Sequence, residues 1–213
     1  MPEPLIHRPD DGEPLPNPVG GEITLAFGAE ETAGRLTALV TVAAPGEGPP
    51  LHTHASEDEC LVVLDGTMRF RLGDELEDAT AGSLVFVPRG AVHTWQNIGE
   101  TPARMLALFT PSGMERFFER FAALGSPGPE TFLEAAAGTG MEVVGPPLAV
   151  SHPSCTWRRP RSPYSGCWAR HFPPSAPRCR QLRPGGARRL WRSAPAMKKR
   201  DSKNCAPRGR GRR

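Results

Sequence analysis

The stretch "LHTHASEDEC", residues 51–60, places two histidines one residue apart and follows them with three consecutive acidic residues. Residues two apart on an extended strand share a face, so His52 and His54 would present their imidazoles on one side, roughly 7 Å apart at the Cα atoms. Two imidazoles at that separation can bind one metal ion. Glu59 lies five residues after His54, and this odd spacing turns it to the opposite face of a regular strand. We therefore expect a turn at residues 55–56.

A second stretch, "GSLVFVPRGAVHTWQN" (82–97), predicts a strand, a turn and a further strand. Pro88 and Gly90 suit positions i+1 and i+3 of a β-turn. His93 then begins a strand that can lie antiparallel to the earlier ones, and Trp95 shares its parity. Because His93 is 39 residues from His54, only a folded sheet could bring these histidines together.

The two stretches together resemble the two motifs of the cupin family. The first motif, Gly-x5-His-x-His-x(3,4)-Glu-x6-Gly, and the second, Gly-x5-Pro-x-Gly-x2-His-x3-Asn, are matched at every position. The matching residues are Gly46, His52, His54, Glu59 and Gly66, then Gly82, Pro88, Gly90, His93 and Asn97. The resemblance covers roughly residues 20–112. It implies a small β-barrel of jelly-roll type in which His52, His54, Glu59 and His93 bind a divalent transition metal.

The chemistry of these four side chains agrees with that implication. Three neutral imidazoles and one carboxylate leave a divalent ion with a net charge of +1 and one or two open coordination positions. Mixed nitrogen and oxygen ligands suit Mn, Fe, Co, Ni, Cu or Zn, and the sequence does not choose among them. The alternative is a barrel that keeps these side chains without a metal. For Asn97 we favour a structural role in a loop over a role as ligand.

Other stretches predict further strands, which are short and separated by turns. The stretches are 22–28, 34–42, 59–74 and 103–111. In 34–42 the alternation puts Leu36, Ala38, Val40 and Val42 on one face. Asp65-Gly66 predicts a hairpin within 59–74, whose second arm has Met68, Phe70 and Leu72 on one face. Met68, Phe70 and Trp95 are substrate-pocket candidates, with core packing as the alternative for each. Cys60 should face away from Glu59 as a packed, unreactive thiol.

The hydrophobic period changes after the strands. "GMERFFERFAAL" (113–124) has phenylalanines near helical spacing, which predicts a helix packed on the barrel or on a second subunit. "PETFLEAAAG" (129–138) predicts a second, shorter helix that starts near its proline. The fold class is therefore all-β: a cupin-type jelly-roll β-barrel with one or two C-terminal α-helices, followed by a disordered basic tail. We divide the chain into a flexible N-terminal arm (1–20), the barrel (21–112), a helical extension (113–148) and the tail (149–213).

Charge and cysteine content separate the tail from the rest. Residues 1–150 carry eight arginines and 22 acidic residues, a net charge of −14, whereas residues 151–213 carry 18 basic residues and one acid, a net charge of +17. Four of the five cysteines also lie in the tail. A stretch this rich in Arg and Pro without a hydrophobic period predicts disorder. It could bind nucleic acid through basic and aromatic side chains, but we favour a sequence read out of frame.

The function expected from these observations is that of a metal-dependent cupin acting on a small organic molecule. The resemblance is greatest to the quercetin-dioxygenase-like group, and it implies a dioxygenase-like oxidoreductase in which Glu59 is both ligand and proton acceptor. The alternatives are a non-catalytic barrel that senses or stores a small ligand and, resting only on the tail, a nucleic-acid-binding regulator. With neither a signal peptide nor a membrane-length apolar run, we expect a cytoplasmic protein. By analogy we expect a homodimer, with a strand such as 22–28 pairing across subunits.

Overall fold

A computed structural model describes residues 3–8, 11–125, 128–148 and 171 of the chain. The described residues form eleven strands and three helices. In chain order these are β1 (Glu13–Leu15), β2 (Glu22–Phe27), α1 (Ala29–Thr32), β3 (Thr37–Ala43), β4 (Leu51–His54), β5 (Asp58–Asp65), β6 (Thr67–Leu72), β7 (Glu75–Thr80), β8 (Leu84–Val87), β9 (His93–Asn97), β10 (Ala103–Thr110), α2 (Glu115–Leu124), α3 (Pro129–Ala136) and β11 (Met141–Gly145).

The strands form two antiparallel sheets. The first has the order β1-β2-β3-β10-β5-β8 and the second the order β11-β4-β9-β6-β7. From β3 onward the chain changes sheets at every connection between consecutive strands except the one between β6 and β7. Each sheet turns one face inward, and alternate residues of the strands form the core. This arrangement confirms the predicted all-β jelly-roll fold.

The prediction of a hairpin at Asp65-Gly66 is wrong. The chain does turn there, with Gly66 at a φ of 87°, but β5 pairs with β10 and β8 while β6 pairs with β7 and β9. The turn is therefore a crossing between sheets. A β-carbon at Gly66 would stand 2.6 Å from the β-carbon of Ala103, so close approach as well as backbone conformation requires glycine.

The face of β3 that lines the interior carries Leu39 and Thr41, and not the more apolar pair Val40 and Val42. Leu39 and Thr41 are buried at 3% and 4% exposure and face the interior, whereas Val40 and Val42 are only half-buried. Thr37 is also buried, and its hydroxyl donates a hydrogen bond to the carboxylate of Glu115. Threonine can occupy the interior here because its hydroxyl has a hydrogen-bond acceptor. Hydrophobicity alone therefore favours the wrong face of β3, the one with Val40 and Val42.

Strand β2 does not have the free edge that pairing across subunits requires. It lies between β1 and β3 and is hydrogen bonded to both, so the expected role of residues 22–28 in a dimer is wrong. The N-terminal segment, expected as an arm, contributes β1 to the same sheet. The predicted tail falls outside the described residues, apart from His171.

The helical extension packs on the barrel, as one of the two predicted alternatives requires. Phe117, Phe118 and Phe121 of α2 are buried, and Phe132 of α3 contacts Phe117 with a ring-centroid distance of 4.9 Å. Arg120 joins the helices by donating to the carbonyl oxygen of α3 residue 135, 3.2 Å away. No described helix has the length and hydrophobicity needed to cross a bilayer.

Candidate metal centre

Three strands from the two sheets bring together the four side chains that we call the histidine–glutamate cluster: His52, His54, Glu59 and His93. His52 and His54 lie on β4, and His93 lies on β9 directly opposite His52 in the register of the second sheet. Glu59 comes from β5 in the first sheet, across the interior. The chain bends at residues 55–56, as predicted, and this bend sends Glu59 to the facing sheet.

The cluster is compact and buried. One potential ligand atom from each residue lies within 4.8 Å of those of the other three. The exposed fractions are 5% for His52, 3% for His54, 4% for Glu59 and 1% for His93. Ligand atoms at about 2.1 Å from one ion are at most about 4.2 Å apart, so small side-chain shifts would place all four around a metal.

Backbone carbonyl groups orient two of the imidazoles. The Nδ1 atom of His52 lies 2.8 Å from the carbonyl oxygen of Pro50, and that of His93 lies 3.1 Å from the carbonyl oxygen of Ala91. A neutral imidazole that donates from Nδ1 leaves the lone pair of Nε2 free. Both rings are therefore held with Nε2 as the atom available to a metal.

Three buried polar atoms in the cluster lack a hydrogen-bond partner: Nε2 of His54, Nε2 of His93 and Oε2 of Glu59. Oε2 lies 2.7 Å from the His93 atom and 3.7 Å from the His54 atom, but without hydrogen-bond geometry. Leaving a buried polar atom unsatisfied costs about 1–3 kcal/mol. A metal ion would satisfy all three atoms, so the residues present fit the cofactor that the cluster suggests.

The protonation of the cluster also suits metal binding. Burial and the neighbouring imidazoles hold the pKa of His52 well below its usual range, and burial lowers the pKa of His54 to about 4. Burial also acts to lower the pKa of His93, but its contact with Glu59 outweighs this effect and raises the pKa. Near neutral pH, His52 and His54 are thus neutral and ready to bind a cation, whereas His93 keeps a proton to higher pH than an ordinary imidazole.

The turn before β9 is tied to the strands that carry the cluster. Arg89 donates through its backbone N–H and its guanidinium to the carboxylate of Asp58, at 2.9–3.0 Å. These hydrogen bonds lower the pKa of Asp58 to about 2. Gly90, at a φ of 79°, donates its N–H to the carbonyl oxygen of His54 over 2.7 Å. The turn therefore ties Asp58, which precedes Glu59, to the backbone of His54 and to the start of the strand that carries His93.

Asn97 has the structural role predicted for it. Its side-chain amide donates to the carbonyl oxygens of Ala43 and Thr101, both at 2.9 Å, and its oxygen accepts from the N–H of Gly99 at 2.8 Å. The residue is fully buried. It closes the loop between β9 and β10 and does not reach the cluster.

A cavity lies next to the cluster inside the barrel. Its walls include His52, His54 and Glu59 together with Trp95, so the structure places this candidate pocket residue in the cavity wall. Met68 and Phe70 are each 1% exposed and belong to the core. They are absent from the lining of this cavity.

Sequence reasoning missed most of the cavity wall. The remaining lining residues are Asn17, Pro18, Val19, Ile23, Leu39, Thr41, Pro49, Met105, Ala107, Phe109, Met114, Phe117, Phe118, Phe132 and Met141. The alternation of Met105, Ala107 and Phe109 on β10 was the available signal. It identifies an inner face but does not say which part of the interior that face surrounds.

Comparison with known proteins agrees with this geometry. Residues 39–109 match the family described as the cupin domain. The chain is 32% identical over 131 residues to germin-like protein 1-1 from Oryza sativa subsp. japonica, covering 56% of this chain and 60% of that protein. It is 34% identical over 80 residues to mannose-1-phosphate guanylyltransferase 2 from Escherichia coli O157:H7, covering 38% of this chain and 17% of that protein.

A solved structure with a similar fold is that of a predicted oxalate decarboxylase from Thermotoga maritima. It has a TM-score of 0.47 and 23% identity, over 50% of this chain and 99% of that one. The chain spans less than two thirds of the length of the curated relatives named above.

Proposed function

Because the chain belongs to the cupin superfamily, we propose that it is a metal-dependent enzyme acting on a small organic molecule at the histidine–glutamate cluster. The observation that carries this proposal is the convergence of four buried ligand atoms within 4.8 Å, three of them without a hydrogen-bond partner. A buried cluster of this kind is costly unless something occupies it. The cavity beside the cluster supplies the room for a substrate.

The reaction class that we propose is dioxygenase-like oxidation. Bound to the cluster, a redox-active transition metal would supply dioxygen chemistry, whereas a redox-inert ion would supply Lewis acidity. The protein's own part is to orient and to exchange protons. His52 and His93 are held by backbone carbonyl groups, and the carboxylate of Glu59 faces the cavity as a buried proton acceptor. Burial of the cluster excludes bulk water from these groups.

The test begins with the metal content of the purified full chain, measured by elemental analysis. We expect about one transition metal ion per chain, and a loss of at least about tenfold in metal affinity for His54→Gln. The matched control is His7→Gln, because His7 is a half-buried histidine near Phe27, outside the cluster. Equal metal content in His54→Gln and in the unmodified chain would contradict the proposed site.

Oxygen uptake with flavonols and other enediol-like compounds then tests the reaction. We expect uptake that depends on the bound metal and is lost in Glu59→Gln. Binding that perturbs the metal spectrum without turnover of any compound would instead identify a sensing or storage barrel. The identity of the bound metal distinguishes oxidation from Lewis-acid catalysis, since a redox-inert ion rules out the oxidative reaction.

A further inference from the structure

The cavity beside the histidine–glutamate cluster has an apolar wall. Three elements contribute seven of its nineteen described residues: the inward faces of β3 and β10, with Leu39, Met105, Ala107 and Phe109 among them, and helix α2. The phenylalanines of α2 at positions 117 and 118 also line it. Apart from the cluster itself, the polar groups that the described residues contribute to the wall are the side chains of Asn17 and Thr41 and the indole N–H of Trp95.

Among the described residues, no lysine or arginine lines this cavity. The arginines of the barrel and helices are engaged or exposed elsewhere. Arg69 pairs with Asp78, and Arg89 pairs with Asp58. Three further arginines, at positions 35, 104 and 116, lie on the exposed surface. Glu59, which belongs to the cluster, is the one acidic group that the described part of the chain contributes to the wall.

This wall has a consequence for the charge of a ligand. A carboxylate, sulfonate or phosphate placed away from the cluster would lose its water and find no cationic partner among the described residues of the wall, which is strongly unfavourable. A divalent ion held by three neutral imidazoles and one carboxylate carries a net charge of +1, which compensates charge only on the atoms that reach the metal. The far part of the ligand faces thioether, aliphatic and aromatic groups, and these favour apolar surface.

We infer that the cavity selects a ligand with oxygen atoms at its metal-facing end and an uncharged, largely apolar, aromatic or alicyclic body. This inference rests on the proposed function, because it assumes that the cluster holds the metal-facing end. It excludes compounds that carry a second anionic group away from the metal, such as sugar phosphates and long dicarboxylates. It further assigns specificity to the wall contributed by β3, β10 and α2, and not to the cluster.

The experiment compares two ligands with the same chelating atoms and different bodies. 2,3-Dihydroxynaphthalene and 2,3-dihydroxynaphthalene-6-sulfonate are titrated, without oxygen, into the full chain loaded with Zn²⁺, and binding is followed by calorimetry. We expect the neutral compound to bind at least about tenfold more tightly, since the sulfonate must be desolvated without a partner. Equal affinity, or tighter binding of the sulfonate, would overturn the inference.

Two variants test whether the neutral compound binds in the cavity. Ala107→Leu adds side-chain volume to the wall, and we expect it to reduce binding of the neutral compound at least about tenfold while Zn²⁺ content stays unchanged. Ala26→Leu is the matched control, because Ala26 is half-buried on β2 and does not line the cavity. Circular dichroism checks that both variants fold. Equal binding by the two variants would place the ligand outside this cavity and overturn the inference.

Failure of the proposed function can be told apart from failure of this inference. If the chain binds no metal, the metal site is refuted, and the same two ligands are titrated into the metal-free chain. The wall does not depend on the ion, so preference for the neutral compound is still expected. No preference in that titration would refute the selectivity of the wall itself.

Discussion

At the scale of single residues, the three histidines of the cluster do not share one electrostatic state. Burial lowers the pKa of His52 and His54, so that both are neutral near pH 7. The pKa of His93 is raised because Glu59 lies 2.7 Å away. Of the three imidazoles, that of His93 therefore competes most strongly with an entering cation for a proton, which metal binding displaces.

Metal affinity should fall as the pH falls, because the ligands bind only when deprotonated. Below the raised pKa of His93 we expect a loss of about tenfold in affinity per pH unit, as one proton competes. The loss should steepen toward pH 4, where His54 also takes up a proton, since its pKa is about 4. Competition titrations with a coloured chelator at several pH values measure this. A pH-independent affinity would contradict the assignment of these residues as ligands.

Asn97→Ala should destabilise the fold without removing a metal ligand. The substitution leaves the carbonyl oxygens of Ala43 and Thr101 and the N–H of Gly99 without their buried partner. We expect a loss of about 2–5 kcal/mol in the free energy of unfolding, measured with urea. Gln96→Ala is the control, because the side chain of Gln96 makes a single hydrogen bond to the oxygen of Gly46 and should cost about 1 kcal/mol. Equal losses would refute the role assigned to Asn97.

At the scale of elements, the turn before β9 acts on the cluster through its neighbours. Arg89 and Asp58 form an ion pair that is partly exposed to solvent, so the pair should contribute little to stability. Its position is what matters. Asp58 precedes Glu59, and the next residue of the turn, Gly90, donates to the backbone of His54.

Arg89→Ala should therefore weaken metal binding more than it weakens the fold. We expect a loss of up to about tenfold in metal affinity with a change of less than about 1 kcal/mol in the free energy of unfolding. Arg89→Lys should recover part of the affinity. The control is Arg69→Ala, which breaks the comparable exposed pair with Asp78 on β6 and β7. If both alanine variants bound metal alike, the positioning role would be refuted.

The elements also show how far sequence reasoning reaches. The spacing of His52, His54 and Glu59 predicted a cluster because alternation along a strand and one bend are local properties. Most strands could be predicted for the same reason. The turn at Asp65-Gly66 was wrongly predicted to connect a hairpin. A tight turn has the same residue chemistry whether its strands pair or enter different sheets. Sheet membership depends on contacts distant in sequence, and so does the composition of the cavity wall.

Strand β3 illustrates a further limit. Its outward face, which carries Val40 and Val42, is the more apolar one, so hydrophobic period alone favours the wrong face. The choice depends on Glu115, 78 residues after Thr37, which supplies an acceptor for the hydroxyl. Short elements such as β1, with three residues, form through pairing with a neighbour and have little sequence pattern of their own.

At the scale of the whole molecule, the outer face of the first sheet bears on assembly. Leu84 and Phe86 on β8 are 71% and 65% exposed, and Leu64 on β5 is 45% exposed. By the register of β5 with β8, they lie on one side of the sheet with Cys60. Covering these side chains would remove apolar surface from water. The homodimer stays a prediction, and this face is where we expect it to form.

Phe86→Glu should shift the protein from dimer to monomer in sedimentation velocity, because it places a charge in an apolar interface. Leu76→Glu serves as the control: Leu76 is 38% exposed on β7 in the other sheet, and its substitution should leave the dimer intact. An unmodified chain that sediments as a monomer, or an equal effect of both variants, would contradict this interface.

The passage of the chain between sheets also determines when during folding a metal can bind. Glu59 reaches the histidines only after β4 and β5 have entered opposite sheets and the sheets have closed on each other. If closure follows the rate-limiting step, a bound ion stabilises the native state and not the transition state. Zn²⁺ should then slow unfolding in stopped-flow measurements and leave the refolding rate unchanged. Faster refolding with Zn²⁺ would mean that the ion recruits the two sheets early and nucleates the barrel.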